Sequence, residues 1–240
     1  METVEKKEKI LDILDNKRRE DNEMKKVMFS SSKVNHQPTY HFFKRSFDIF
    51  VSGCSLVVLS PIFVIISFLI KRQDHGPIFY KQIRIGKNGN SFKIYKFRSM
   101  IMNAEKKLKS NPQLYEKYVA AGYKFPEGED PRITRIGSWL RKTSLDELPQ
   151  FLNVLKGEMS MVGPRPVVKE ELNEYGQRKK KLLSVKPGVF GLWQASGRSN
   201  IKYPERCDME LEYVDKASAS YDLKIFFKTI KSIIKKDGAF

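Results

Sequence analysis

The pair Asp146-Glu147, inside "TSLDELPQFLNVLKG" (Thr143 to Gly157), puts two carboxylates side by side ahead of a proline and an apolar run. Carboxylates can be nucleophiles, general acids or bases, metal ligands, or no more than helix caps. Ser144 and Glu147 have the spacing of a capping box. With Ser144 as the cap, however, Pro149 would fall where an N–H should already be hydrogen-bonded. A helix that begins near Asp146 places Pro149 in the permissive first turn instead. Leu148, Phe151, Leu152 and Leu155 then share a buried face, and Gly157 ends the helix. The two acids would sit at the positive end of the helix dipole, where carboxylates stay ionised and free N–H groups attract phosphate. Neighbours on a helix diverge by about 100°, so the two acids should have different work.

Cations accumulate around this pair. "DPRITRIGSWLRKTS" carries Arg132, Arg135 and Arg141, and "GEMSMVGPRP" ends with Arg165 between two prolines that restrict its backbone. Arginine forks suit phosphate oxygens, although arginines on a basic surface are commonly just solvated. Lys96 and Arg98 emerge from the end of "SFKIYKFRSM" and could serve the same purpose. "KPGVFGLWQASGR" combines turn glycines with Trp193, Gln194 and Arg198, which suits a base or sugar pocket and equally a hairpin with a core tryptophan.

These side chains need elements to position them. "GPIFYKQIRIG" and "SFKIYKFRSM" read as two strands around "KNGN" (Lys87 to Asn90), because Asn-Gly is a strong hairpin signal. Residues 101 to about 129 read as a helical excursion and a loop without chemistry. Short strand and helix patterns alternate through the body, which predicts a compact α/β or α+β domain over residues 73–240.

Upstream, "FDIFVSGCSLVVLSPIFVIISFLI" (Phe47 to Ile70) is long enough to cross roughly 30 Å of hydrocarbon as one straight helix. Two features favour a helix that enters and returns. Ser60-Pro61 lies near the midpoint, where proline forces a bend and serine can satisfy a freed carbonyl. Lys44 and Arg45 precede the run and Lys71 and Arg72 follow it, so the positive-inside preference puts both ends on one side. The expectation is a re-entrant membrane helix over 41–72, with Asp48 at its entrance beside Lys44 and Arg45. "YDLKIFFKTIKSIIKK" places Leu223, Phe226, Phe227, Ile230, Ile233 and Ile234 at helical spacing with lysines opposite. Such an amphipathic helix packs on a core or lies at an anionic lipid interface.

The whole chain bounds these readings. It has 240 residues, 40% of them hydrophobic, and a net charge of +17 that calls for a polyanion, an anionic membrane face or a phosphorylated substrate. Two cysteines, Cys54 and Cys207, imply no disulfide framework and point to a reducing compartment. The first forty residues are dense in charge, lack a signal-peptide core and read as a polar extension with one short apolar face at Ile10, Leu11 and Leu14.

Taken in order, "KRSFDIF", Ser60-Pro61, "GPIFYKQIRIG", "YKFRSM", "DPRITRIG", "LRKTSLDELPQFLNVLKGEMSMVGPRP", "KPGVFGLWQASGR" and "YDLKI" resemble the monotopic phosphoglycosyl transferases, bacterial sugar transferases that begin glycoconjugate assembly. The resemblance spans residues 44 to about 230, with Ser99 and Glu158 where threonine and aspartate are expected. It implies that Asp146 attacks the β-phosphate of a UDP-sugar, releases UMP and passes the phosphosugar to undecaprenyl (polyprenyl) phosphate. It further implies Mg2+ as cofactor, held by Asp146 and Glu147, with Glu147 otherwise a base toward the lipid phosphate. Arg141 and Arg165 become phosphate-binding residues, with Lys96 and Arg98 as further candidates. The setting implied is the cytosolic face of the bacterial inner membrane, among its lipids, with downstream glycosyltransferases and a second copy of the chain as conceivable partners, and no nucleic acid. Two rivals remain distinct in what they predict: a noncatalytic scaffold for polysaccharide assembly transfers no sugar, and a membrane-tethered nucleic-acid binder loses its affinity with salt and keeps it without the acids.

Overall fold

A computed structural model describes residues 37–120, 125–126, 128–196, 201 and 203–235, without the side chains of 233–235. Residues 1–36 of the polar extension, Arg198 and the side chains of Ile233 and Ile234 lie outside the described residues, whereas residues 38–40, placed in the extension by the sequence, already belong to the first helix.

The hydrophobic run forms two helices, α1 (Pro38–Val58) and α2 (Ser60–Asp74), joined at Leu59 and bent by 60°. Pro61 has no N–H to donate, and Ser60 Oγ donates to the Val57 carbonyl at 2.8 Å, so the break is satisfied from within. Among the described residues no single helix is long and apolar enough to cross a membrane, whereas the bent pair passes that test together. Phe42, Phe43, Phe50, Val57, Val64, Ile65 and Phe68 remain exposed along the pair.

α1 is more deeply tied to the body than interfacial exposure of Asp48 would allow. Asp48 is 2% exposed and accepts hydrogen bonds from Ser160 Oγ at 2.9 Å and the Met161 N–H at 2.8 Å. Lys44 donates to Asp222 at 2.7 Å and to the Val162 carbonyl at 2.9 Å, rather than pairing directly with Asp48. Arg45 donates to the Val154 and Leu155 carbonyls at 2.7 and 2.8 Å. Asp48→Ala would orphan a buried N–H and hydroxyl and is expected to cost about 3 kcal/mol, which thermal unfolding of the full chain would read as a melting point lower by roughly 6–12 °C.

Beyond α2, strands β1 (Phe79–Ile85) and β2 (Ser91–Phe97) form the antiparallel hairpin, in register from Phe79 opposite Phe97 to Ile85 opposite Ser91. Asn88 and Gly89 take positive φ (61° and 77°) in the turn, the conformation Asn-Gly accepts most readily. The helical excursion appears as α3 (Ala104–Lys109) and α4 (Pro112–Ala120). Next come α5 (Arg135–Lys142), capped by Thr134 through a 2.9 Å bond from Gly137 N, and α6 (Gln150–Lys156), ended by Gly157 at φ 81°.

Strand β3 (Ser160–Val162) pairs in parallel with β4 (Gly188–Phe190), after a 3₁₀ stretch (Glu170–Arg178) and α7 (Lys179–Leu182). The chain closes with α8 (Leu192–Ser196), α9 (Glu205–Lys216) and α10 (Ala219–Lys235). The body is thus a mixed, predominantly helical α+β fold with, among the described residues, two small separate sheets. Its main core joins Phe92, Ile94, Phe151, Val154, Met159, Met161, Val189, Tyr213 and Ile225 across the hairpin, α6, β3, β4, α9 and α10.

Two buried faces differ from those the spacing predicts. On α6 the deeply buried residues are Gln150, Phe151, Asn153 and Val154, while Leu148, Leu152 and Leu155 are half-buried. Asn153 earns its place by accepting from Tyr95 N and donating to the Lys93 carbonyl, which fastens the helix to β2. On α10 the inward stripe is Asp222, Ile225 and Thr229, while Leu223 and Phe227 are exposed beside lysines. The helix therefore packs on the core and still offers an apolar outer edge.

Candidate active site

Ser144, at φ 58°, turns the chain sharply after α5, and Leu145–Glu147 follows as a single 3₁₀ turn. Asp146 and Glu147 consequently precede α6 rather than forming its first turn, and Pro149 takes the cap position. The Ser144 side chain makes no capping bond, so there is no capping box. A non-glycine residue in the left-handed region costs about 1 kcal/mol or more, a form of strain frequent at functional sites.

The two acids have opposite surroundings. Glu147 Oε1 lies 2.6 Å from Lys96 Nζ and 3.8 Å from Arg165 Nη1. Its burial favours the neutral form, but Lys96, Arg165 and Arg84 outweigh that and hold the carboxyl down at about 2. Asp146 is 9% exposed and, among the described residues, no cation comes within ion-pair distance of it. Burial pushes its carboxyl up to about 6, against the pull of Lys96 and with the help of the Glu147 charge. One acid is thereby fixed as a carboxylate. The other is desolvated, unpaired among the described residues and unusually basic, which is the state that favours attack on an electrophile.

Of the cations singled out in the sequence, Lys96, Arg141 and Arg165 gather here. Arg141 donates through Nε to Ser99 Oγ at 2.9 Å and acts electrostatically on Asp146. Ser99 thus orients a site arginine. Arg98 does not join them: its guanidinium is buried and bonded to Asp74 beside Gly76. Arg132 is likewise committed elsewhere, to Asp130 at 2.7 and 2.8 Å and to the rings of Tyr118 and Phe125. Trp193 is buried with Arg165 and Arg206 over its ring, and Gln194 donates to the Val189 carbonyl at 3.3 Å. These contacts give both residues a packing role, while one atom of each, Trp193 Nε1 and Gln194 Oε1, is buried without a partner among the described residues.

Arg84 is the cation that residue spacing did not single out. It lines a narrow cleft with Lys96, Glu147, Gln150, Arg165 and Pro166, donating to the Pro166 carbonyl at 3.1 Å and to Glu171 at 3.3 Å. The hairpin register contained the signal: Tyr80 pairs with Lys96, so Gln82 and Arg84 lie on the same face as Lys96. A second, open groove of about 270 Å³ lies between α2 and α5 against Leu69, Arg135, Ile136 and the half-exposed Trp139.

Among the described residues no cluster of three or more His, Cys, Asp or Glu is assembled to bind a metal. A magnesium ion asks for less, since it commonly takes one or two carboxylates, substrate phosphates and water. Asp146 and Glu147 fit that donor set: Glu147 turns Oε1 to Lys96 and Arg165, which leaves its second oxygen to offer.

A family model for bacterial sugar transferases matches residues 39–236. The chain is 45% identical over 201 residues to the exopolysaccharide production protein ExoY of Sinorhizobium fredii, covering 82% of this chain and 88% of that one. It is 43% identical over 202 residues to the undecaprenyl-phosphate galactose phosphotransferase of Salmonella typhimurium, covering 83% of this chain and 42% of that protein. Over 199 residues it is 42% identical to the galactosyl transferase CpsE of Streptococcus agalactiae, covering 82% and 43%. With the match running from the bent helix pair through the acidic turn to the last helix, the chain belongs to the bacterial sugar transferase family.

Proposed function

We propose that this enzyme transfers a phosphosugar from a UDP-sugar to undecaprenyl phosphate in two covalent steps through Asp146. The observation that carries the reading is the split between the two acids: Glu147 is neutralised by Lys96 and Arg165, whereas Asp146 is buried, without an ion-pair partner among the described residues, and more basic than an ordinary aspartate. In the first step an Asp146 oxygen bonds to the β-phosphorus of the UDP-sugar, and the bond from that phosphorus to the bridging oxygen breaks, releasing UMP. In the second, an oxygen of the lipid phosphate bonds to the same phosphorus and the carboxylate leaves, restoring Asp146. Lys96, Arg141 and Arg165 balance the phosphate charge, and Arg84 holds the backbone of the Pro164-Arg165-Pro166 turn. Magnesium bound by Asp146, Glu147 and the diphosphate would supply further charge neutralisation.

The bent pair and the relatives named for undecaprenyl phosphate support a site at a lipid surface, with α1 and α2 dipping into one leaflet from the cytosolic side. Exposed Trp139 and Phe227 suit the interfacial belt around that entry. Exopolysaccharide or capsule assembly is the process this product would feed, in keeping with the name of the ExoY relative.

The test is UMP release by the full chain across a panel of UDP-sugars, with and without undecaprenyl phosphate. A burst of UMP without lipid, sustained turnover with it, and a sugar-phosphate mass on the peptide holding Asp146 are the expected results. Sustained turnover with no trapped adduct under single-turnover conditions would overturn the covalent route. The pH profile is a separate expectation. Because the Asp146 carboxyl is raised to about 6, kcat/KM should fall tenfold per unit below about pH 6 as it takes a proton. Glu147 stays ionised through that range and adds no second limb above about pH 2.

A further inference from the structure

Arg165 approaches Glu147 no closer than 3.8 Å, too far for a hydrogen bond, so that contact does not fix its direction. Its other contact is the indole of Trp193, whose ring centroid lies 5.8 Å from the guanidinium carbon, within cation–π range. Trp193 is 8% exposed, and its own Nε1 finds no partner among the described residues to hold it. What bears on the indole is Arg206 of α9, with its guanidinium carbon 4.5 Å from the Trp193 centroid and 5.0 Å from that of Tyr203. Arg206 is in turn anchored through Nε to Glu210 at 3.4 Å, one helical turn on. Glu210 is fully buried and receives the Tyr175 hydroxyl on its other oxygen.

A buried ion pair of this kind is a poor device for stability alone, because an apolar pair of equal volume would commonly do as well. Here its planar cation is stacked on the ring that also faces a site arginine. We propose that Arg206 is a positioning residue: held by Glu210 and Tyr175, it fixes the Trp193 indole and thereby aims Arg165 at the phosphate subsite beside Glu147. This inference rests on Arg165 being a phosphate-binding residue of the proposed transfer. It assigns a duty to α9, an element that carries none of the acids or cations of the cleft.

A double-mutant cycle on the full chain tests it, read as kcat and KM for UMP release with UDP-sugar and undecaprenyl phosphate. Arg206→Lys keeps the charge but loses the planar fork, and is expected to lower kcat about tenfold with folding intact. Arg165→Lys should lower it by about a hundredfold. In the double variant, Arg206→Lys should add no further loss, since the group it aims is gone. A merely structural role would lower yield and multiply through both backgrounds, and that outcome would overturn the inference. So would wild-type kcat in Arg206→Lys beside an impaired Arg165→Lys. Wild-type kcat in Arg165→Lys would instead overturn the phosphate-site reading itself. Should Arg206→Lys fold poorly, Trp193→Phe replaces it in the same cycle, with the same non-additivity expected and additivity again overturning the proposal.

Discussion

Asp146→Asn should abolish turnover and, at the same time, make the protein harder to unfold. The loss follows if Asp146 is the attacking group we propose, since removing that group costs on the order of 10⁴-fold or more when it forms the covalent intermediate. The gain follows from linkage. The carboxyl stands at about 6 in the folded chain against 3.8 for an ordinary aspartate, so its folded form binds a proton more readily than its unfolded form. Stability from this group is present below about pH 4 and is lost as pH rises through about 6. At pH 7.5 the wild-type chain therefore carries a penalty that the neutral amide escapes. Sharing of the proton with the Glu147 neighbour reduces the effect, which we place at about 2 kcal/mol, or roughly 4–8 °C in melting temperature. Calorimetry at pH 7.5 and at pH 4 checks the sign: the variant should melt higher at the first and lose its advantage at the second. A variant with near-normal UMP release would remove Asp146 from the chemistry.

Lys96→Ala is the second large effect, because one amine governs both acids. It neutralises Glu147 through a 2.6 Å contact and also lowers the Asp146 carboxyl. Without it kcat/KM should fall on the order of a hundredfold, as for the loss of one preorganised charge contact to a transferring phosphoryl group. Both carboxyls would also rise. The acid limb of the pH profile should then move above pH 6, and Glu147 should begin to titrate in the accessible range. An activity loss with an unmoved acid limb would limit Lys96 to contact with substrate and separate it from the carboxylates.

The parts of this architecture that the sequence reveals are those set by neighbours in the chain. Asn88-Gly89 closes a hairpin because those two residues accept positive φ. Ser60-Pro61 breaks a helix because one lacks a donor and the other supplies one. Gly157 ends α6 because it, like Asn88-Gly89, accepts a positive φ. Asp146 and Glu147 stand out because adjacent acids before Pro149 fit poorly as ordinary caps. What stays hidden depends on residues distant in the chain. The parallel pairing of Ser160–Val162 with Gly188–Phe190 needs a crossover that no periodicity announces. Asp48 reads as an interfacial charge until β3 is seen to offer it a hydroxyl and an N–H. Arg98 and Lys96 look equivalent two residues apart, and only the position of Asp74 separates them. Arg84 was within reach, since the hairpin register alone puts it on the Lys96 face.

The first helix of the bent pair is also a structural member of the body, because Tyr40, Lys44, Arg45 and Asp48 reach Asp222, Val162, Val154 and Ser160. Trimming the chain to begin after residue 72 would therefore not liberate a freely soluble catalyst. It would strip the last turn of α6 of its guanidinium cap and leave β3 with an orphaned N–H, only a few residues from the acidic turn. Any shortened form of this enzyme would therefore have to keep α1, whatever surface the bent pair rests on.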